Sequence, residues 1–253
     1  MEVMEQRRND IVRFVNDQGS VTFAQIKERF PKVSDMTLRT DLKVLDANQR
    51  LVRIHGGAKS LETVTGNDDF LKKRYIQNTD EKMAIARKAL ELVEAHKTIF
   101  IDSGSTTTML SNILNDQPNT FFTSGISCAV EMAHLKEAQC FLAGGMINRN
   151  SLSVTGMDAV RFLENVSFDL TFLGVTRYSE RTGFTCESFL DAQTKRAVIQ
   201  RSKKIIVLMD SSKVQKDGTY RICDLKDVDI VVSDQNLPKT LIEECENQGV
   251  LIL

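Results

Sequence analysis

Cysteine and histidine are too few, and too badly spaced, in this 253-residue chain to build a metal site. Its five cysteines, Cys128, Cys140, Cys186, Cys223 and Cys245, are scattered, odd in number and never arranged as CxxC, and only His55, His96 and His134 accompany them. Neither a disulfide framework nor a metal centre is expected, and the thiols read as free and mostly packed. With three prolines there is no Pro-rich tract; no other low-complexity segment and no repeat is visible. No apolar run approaches a membrane span, and the opening "MEVMEQRRND" is charged from the start, unlike a signal peptide. The expected location is therefore cytoplasmic, with no membrane partner. GxxxxGK[ST] and GxGxxG are both missing, which argues against nucleoside triphosphates and NAD, and no cofactor is expected.

What is present is enough chain for one large or two small domains, with an uneven charge. Residues 1–60 carry 11 Lys and Arg against 8 Asp and Glu, whereas the remainder carries 22 against 26. A mildly basic head on an acidic body fits a polyanion partner at the N-terminus.

Three short helices are predicted in that head. Ile11, Phe14 and Val15 have helical spacing within Glu5–Asp17. Thr22 and Gln25 have the spacing of a capping box ahead of Phe23, Ile26 and Phe30, and Pro31 stops that second helix. Ser34 can cap a third, Ser34–Asn48, with Asp35 in its positive first turn. At about 100° per residue, Leu38, Leu42 and Leu45 share one arc of it, while Met36, Arg39, Thr40 and Lys43 gather opposite. Leucines behind and cations in front suit a helix lying in a DNA major groove, where Arg and Lys meet guanine edges or phosphates. "LVRIHGGA" then alternates Leu51, Arg53 and His55 against Val52 and Ile54 and turns at Gly56-Gly57, as a wing would. An amphipathic surface helix with no DNA role shows the same division; the conjunction of three helices, a turn and a ribbon is what favours a winged helix-turn-helix.

"VSDMTLRTDLKVLDANQRLVRIHGGA" resembles the N-terminal signature of the DeoR family of bacterial sugar-catabolism regulators, through Ser34, Thr37, Arg39, Asp41, Leu42, Arg53, His55, Gly56, Gly57 and Ala58. Thr40 stands where that family usually has a second arginine, and Pro31-Lys32 lengthens the turn by one residue. The DNA-contacting residues expected from pattern and resemblance together are Ser34, Met36, Thr37, Arg39, Thr40, Lys43, Arg53 and His55.

From Lys59 to Asp69 the apolar pattern lapses, and Phe70–Val93 returns to helical spacing. Strand-like runs then alternate with helical ones: "TIFID", "TFFTS", "QCFLAG", "DLTFLGV", "KKIIVLMD", "DIVVS" and "VLIL", separated by helices such as Thr107–Leu114, Ser127–Leu135, Leu190–Ser202 and Lys239–Asn247. This is the signature of a mainly parallel α/β sheet, which binds ligands at the carboxyl ends of its strands. Four polar loops fall at those ends: Asp102–Thr107, Thr123-Ser124-Gly125, Gly144-Gly145 and Asp210–Lys213. Ser103, Gly104, Ser105, Thr106 and Thr107 offer hydroxyls and backbone N–H groups at a helix start, a natural phosphate site. Asp102 suits sugar hydroxyls, and Lys195 and Lys213 suit phosphate charge.

"IFIDSGSTT", "LAGG", "FLGV" before "TGFT", "DAQTKRAVI" and "VLMDSSKV" resemble the C-terminal sensor domain of the same family, similar in fold to ribose-5-phosphate isomerase and CoA-transferase-like proteins. The resemblance implies a phosphorylated sugar or sugar derivative as effector, held by Asp102, the Ser103–Thr107 loop, Lys195, Asp210 and Lys213; Ser124, Gly144 and Gly145 complete the expected site. Ser124-Gly125, Thr176-Arg177 and Asp191 depart from the family's common residues, at positions that would shape the sugar end. The expected organisation is a winged helix-turn-helix over 1–58, a linker over 59–75 and an α/β effector-sensing and oligomerisation domain over 76–253. The expected function is a repressor of a carbohydrate operon, a dimer or tetramer on double-stranded operator DNA, relieved by its effector. A sugar-phosphate isomerase using the same pocket is the alternative, with Asp102, Asp191 or Asp210 as its base.

Overall fold

A computed structural model of the chain describes residues 2–48, 50–54, 56–60, 74 and 77–253. The chain divides into two compact units, Met1–Asp68 and Asp69–Leu253. Most of the expected linker, residues 61–73 and 75, lies outside the described residues, as does residue 76.

The first unit runs α1 (Glu2–Gln18), β1 (Ser20–Thr22), α2 (Phe23–Arg29), α3 (Asp35–Ala47), β2 (Val52–Ile54) and β3 (Gly57–Lys59). The capping box forms as its spacing predicts: the Thr22 N–H donates to Gln25 Oε1 at 2.8 Å, and the Gln25 N–H to Thr22 Oγ1 at 3.3 Å. Ser34 caps α3 by accepting from the Thr37 N–H at 3.2 Å. Ile11, Val15, Ile26, Leu38, Leu42, Leu45 and Leu51 form one buried core, each contributing about 1.5–3 kcal/mol by leaving water. β3 is the middle strand of an antiparallel three-stranded sheet, with β1 and β2 outside it. β1 has no counterpart among the elements predicted above. Its close pairing explains the second glycine of the wing, since a Cβ on Gly57 would sit 2.1 Å from the Val21 carbonyl oxygen.

The second unit continues with α4 (Thr79–Leu90), β4 (Thr98–Ile101), α5 (Ser105–Asn112), β5 (Thr120–Thr123), α6 (Ile126–Met132) and β6 (Gln139–Leu142). A hairpin follows, β7 (Met146–Asn148) and β8 (Ser153–Thr155), then α7 (Met157–Glu164) and β9 (Leu170–Gly174). Next come β10 (Arg177–Ser179), β11 (Gly183–Cys186), α8 (Phe189–Ile199), β12 (Ile205–Leu208) and β13 (Tyr220–Cys223). β14 (Ile230–Val232), α9 (Lys239–Gln248) and β15 (Leu251–Ile252) close the chain. All seven strand-like runs named above join one sheet, ordered β15-β14-β12-β9-β4-β5-β6, and every neighbouring pair is parallel.

Its inner strands are buried on both faces, which is why they read as unbroken apolar runs. Ile99 and Ile101 pack in one cluster with Ile85 of α4, Leu110 of α5 and Met132 of α6, while Phe100 points the other way to Ala159 and Leu163 of α7. Helix α7 and the short strands β7, β8, β10, β11 and β13, which lie outside the main sheet, are additions to the predicted pattern. The long helix expected over Phe70–Val93 is described as α4 alone; its first residues fall outside the described ones, except Arg74.

Candidate functional site

In the first unit, α3 divides as its wheel predicts. Leu38, Leu42 and Leu45 are buried, whereas Met36, Arg39, Thr40 and Lys43 are exposed. Together with Arg53 of β2, these four line one open concave surface. Met36 stands 80% exposed, so α3 presents an apolar side chain among the cations. The Arg39 guanidinium lies 4.4 Å over the Phe23 ring, and the stacking holds it without neutralising it. Arg39, Lys43 and Arg53 pair with no acid among the described residues. Ser34 and Thr37 lie at the helix start with their hydroxyls 2.8 Å apart, so both serve the cap first. Thr40 donates its hydroxyl proton to the Met36 carbonyl at 2.9 Å, leaving only acceptor capacity and a methyl facing outward. His55 lies outside the described residues.

The back of α3 carries something no periodicity signals. Asp41 is 1% exposed and accepts from Arg7 Nε at 2.7 Å and Arg8 Nε at 2.9 Å, both on α1. Asp41 of the "TDL" stretch thus has a structural role.

In the second unit, parallel strands put every βα loop on one edge. Chain order runs outward from β4 through β5 to β6, then returns to β9 on the other side of β4. The crevice between β4 and β9 is therefore the sheet's switch point, the usual ligand position in such folds. Asp102 fills the base of that crevice at 1% exposure. Its Oδ2 accepts from the Gly174 N–H at 2.9 Å and from the Lys195 ammonium of α8, and Lys195 also donates to the Gly174 carbonyl at 3.0 Å. Burial pushes the Asp102 carboxyl above its ordinary range against the pull of Lys195. Burial also opposes the Lys195 charge, but the carboxylate beside it carries the ammonium above its usual value.

Above this pair the Ser103-Gly104 loop feeds α5. A Cβ on Gly125 would meet Ser103 Cα at 3.0 Å, and one on Gly174 would meet the Ser103 carbonyl oxygen at 3.1 Å, so the loop is gripped between two glycines. Gly104 has φ +144°, a conformation open to glycine. Thr107 and Thr108 turn their hydroxyls back to the Gly104 carbonyl at 3.0 and 2.7 Å. Ser105 and Thr106 have no hydroxyl partner among the described residues, and the first amides of α5 have no intrahelical acceptor.

The remaining expected residues lie farther out. Ser124 follows β5, is 2% exposed, and accepts through its carbonyl from Val154. Gly144 and Gly145 are exposed beyond β6, two strands from β4. Asp210 follows β12, two strands away on the other side, or about 10 Å. It is 2% exposed and accepts from Asn78 Nδ2 at 2.9 Å and the Ser212 N–H at 3.2 Å. Lys213 follows it, half-buried.

The geometry thus brings Asp102, Lys195 and the Ser103–Thr106 loop together. Within the fold Lys195 faces Asp102, and Thr107, fully buried, turns its hydroxyl back to the Gly104 carbonyl. Gly174 and Asn78 were not singled out in the sequence, whereas Gly125 and Asp191 were named there as positions that would shape the sugar end. Asp191 accepts from Ser153 Oγ at 2.6 Å and Asn148 Nδ2 at 3.1 Å, tying the β7–β8 hairpin to the start of α8. Among the described residues no group of His, Cys, Asp and Glu could hold a metal ion, and no helix is long and apolar enough to cross a membrane.

Two family descriptions match the chain: a DeoR-like helix-turn-helix domain over residues 7–64 and a DeoR C-terminal sensor domain over residues 77–235. The HTH-type transcriptional regulator GolR of Listeria innocua is 29% identical over 97% of this chain and 96% of its own. The glycerol-3-phosphate regulon repressor of Escherichia coli K12 is 28% identical over 94% of each. Among solved structures, ribose 5-phosphate isomerase A from Methanocaldococcus jannaschii covers 55% of each chain at 18% identity, with a TM-score of 0.40.

Proposed function

The chain belongs to the DeoR family of transcriptional regulators, and we propose that it represses a carbohydrate-catabolism operon until a phosphorylated sugar or sugar derivative binds at the β4–β9 switch point. It is a DNA-binding regulator rather than an enzyme. The geometry agrees: a general base must reach its substrate, and Asp102 is buried beneath the loop with its Oδ2 held by the Gly174 N–H and the Lys195 ammonium.

The observation that carries the reading is the contrast at the start of α5. Asp102, Lys195 and Gly174 satisfy one another below, while the Ser105 and Thr106 hydroxyls and the first α5 amides stay unspent above. That is a pre-set anion cradle at a helix N-terminus, suited to a phosphate. Asp210 and Lys213 on one side and Ser124, Gly144 and Gly145 on the other then bound the sugar end. In the head, Arg39, Lys43, Arg53 and Met36 face the major groove, Ser34 and Thr37 set the helix start, and Thr40 and His55 complete the contact surface. Residues 1–58 act as the head, 59–75 as linker and 76–253 as sensor, in the cytoplasm. A two-fold oligomer matches the two half-sites such heads read. The effector works because it binds the DNA-competent and incompetent states unequally.

The test is a DNA-binding titration on the region upstream of the protein's own gene, with and without a panel of sugar phosphates. At least one compound should weaken binding of the wild-type chain tenfold or more, and Ser105→Ala with Thr106→Val should abolish that response while leaving DNA affinity unchanged. No response to any sugar phosphate, or an unaltered response in the double variant, would overturn the assignment.

A further inference from the structure

The apolar surface of the second unit is concentrated around one edge of its sheet. β6, the outermost strand, is exposed at all four residues, Gln139-Cys140-Phe141-Leu142. It carries no charge, no proline and no bulge, the devices by which an unpartnered edge strand is protected. Phe141 and Leu142 are 41% and 43% exposed, Val130 of α6 is 68%, Phe162 of α7 is 38%, and Met146 and Ile147 of β7 are 57% each. Phe122 joins two of these side chains, its ring stacking on Phe141 at 4.8 Å and tilting against Phe162 at 5.8 Å. The opposite edge, β15, is two residues long.

The hydrogen-bond ladder fixes what this edge offers. Gln139 and Ala143 donate their N–H groups inward, to Asn119 and Thr123. By alternation Phe141 also faces β5, and the N–H and C=O groups of Cys140 and Leu142 point outward. Two outward residues flanking one inward residue are self-complementary about a two-fold axis through Phe141. Cys140 of one strand then forms a hydrogen-bonded pair with Leu142 of the other, and the two Phe141 side chains meet across the axis at a non-hydrogen-bonded position.

We propose that β6 pairs antiparallel with β6 of a second copy of this chain about an axis at Phe141, joining the two sheets into one. The proposal rests on the two-fold oligomer inferred above and names its surface. The area supports it: the six exposed apolar side chains offer on the order of 500 Å² per protomer, the larger part of the ~800 Å² per partner typical of a stable interface. The neighbouring strand backbone and its polar surroundings supply the rest.

The full-length chain carries the test. Wild type should sediment as a two-fold oligomer at micromolar concentration, and Leu142→Lys and Ile147→Lys should each halve the mass with unchanged circular dichroism. A second arm needs no disruption. Leu142→Cys places a thiol opposite Cys140 of the partner, at about 5.5 Å between Cα atoms, within disulfide range. Diamide should convert most of it to a covalent dimer on non-reducing gels, whereas wild type and Leu142→Cys combined with Cys140→Ser should give none; the other four cysteines are buried. A wild-type chain that is monomeric overturns the oligomer reading itself. A wild-type dimer that survives both lysine variants, with no cross-link from Leu142→Cys, overturns only the β6 surface. Cross-linking of wild type through Cys140 overturns the register.

Discussion

Each unit buries one aspartate against cations, and the two do so differently. Asp41 in the head takes two arginines from the adjacent helix, and these remain 21% and 14% exposed in their side chains. Asp102 in the sensor takes one lysine from 93 residues farther along, and that lysine is 6% exposed. The first arrangement ties the back of α3 to α1 while its cations still see water. The second closes a dry crevice and links the β4 loop, the end of β9 and α8 through three groups. A carboxylate held by partly wet arginines works as a fastening, since its loss leaves cations that turn to solvent. A carboxylate held by a dry lysine leaves no such escape.

That contrast sets the two largest expected effects. Lys195→Met strands a buried carboxylate and should destabilise the sensor unit by about 3–5 kcal/mol, as when one partner of a buried pair is removed. The double variant with Asp102→Asn should recover most of that. Urea unfolding followed by two probes, one per unit, reads both numbers. A single-variant loss under about 1 kcal/mol would show that the pair is not the dry contact described. Asp41→Asn should cost less, about 1.5–3 kcal/mol for charge-assisted hydrogen bonds lost to groups that can rehydrate, and only in the transition of the head. A larger loss there than in Lys195→Met would invert the comparison.

How much of this was legible depended on range. The five inner strands of the parallel sheet were readable because both faces are buried, so each is an apolar run bounded by polar loops. Both caps were readable because Thr22 with Gln25 and Ser34 with Thr37 act within three residues. The Asp41–Arg7–Arg8 cluster and the Asp102–Lys195 pair span 33 to 93 residues, and periodicity shows which face a residue occupies without naming its partner. Lys195 was read as a phosphate cation, and its pairing with Asp102, 93 residues away, is a contact that no local pattern names. The hairpin β7–β8 and the sheet β10-β11-β13 were missed because their strands run three or four residues, too short for a period of two to stand out. β6 was identified as a strand, but its exposure was invisible, because an apolar run looks the same at the centre of a sheet and at its edge.

The exposed face of α3 extends the comparison from carboxylates to binding groups. Arg39→Ala should weaken specific DNA binding by about 1–3 kcal/mol, the range for a bidentate base contact. Lys43→Ala should weaken it on all sequences alike and lower the salt slope by about one. Fluorescence anisotropy at several salt concentrations separates the two, and equal sequence-independent losses would mean that Arg39 touches phosphate alone.

The smallest expected effect comes from a hydroxyl. Thr40 occupies the face of α3 between Arg39 and Lys43, where a donor would be useful, but its proton is committed to the Met36 carbonyl at 2.9 Å. Breaking that bond to reach a phosphate would exchange one hydrogen bond for another, with little net gain. Thr40→Val keeps the shape and methyl contact and removes only the hydroxyl, so DNA affinity should change by less than about 0.5 kcal/mol. In the sensor the same chemistry predicts the opposite sensitivity, because the Thr106 hydroxyl has no partner among the described residues to hold it back. A loss of 1 kcal/mol or more from Thr40→Val, in the same anisotropy assay, would show that the hydroxyl leaves the helix when DNA arrives.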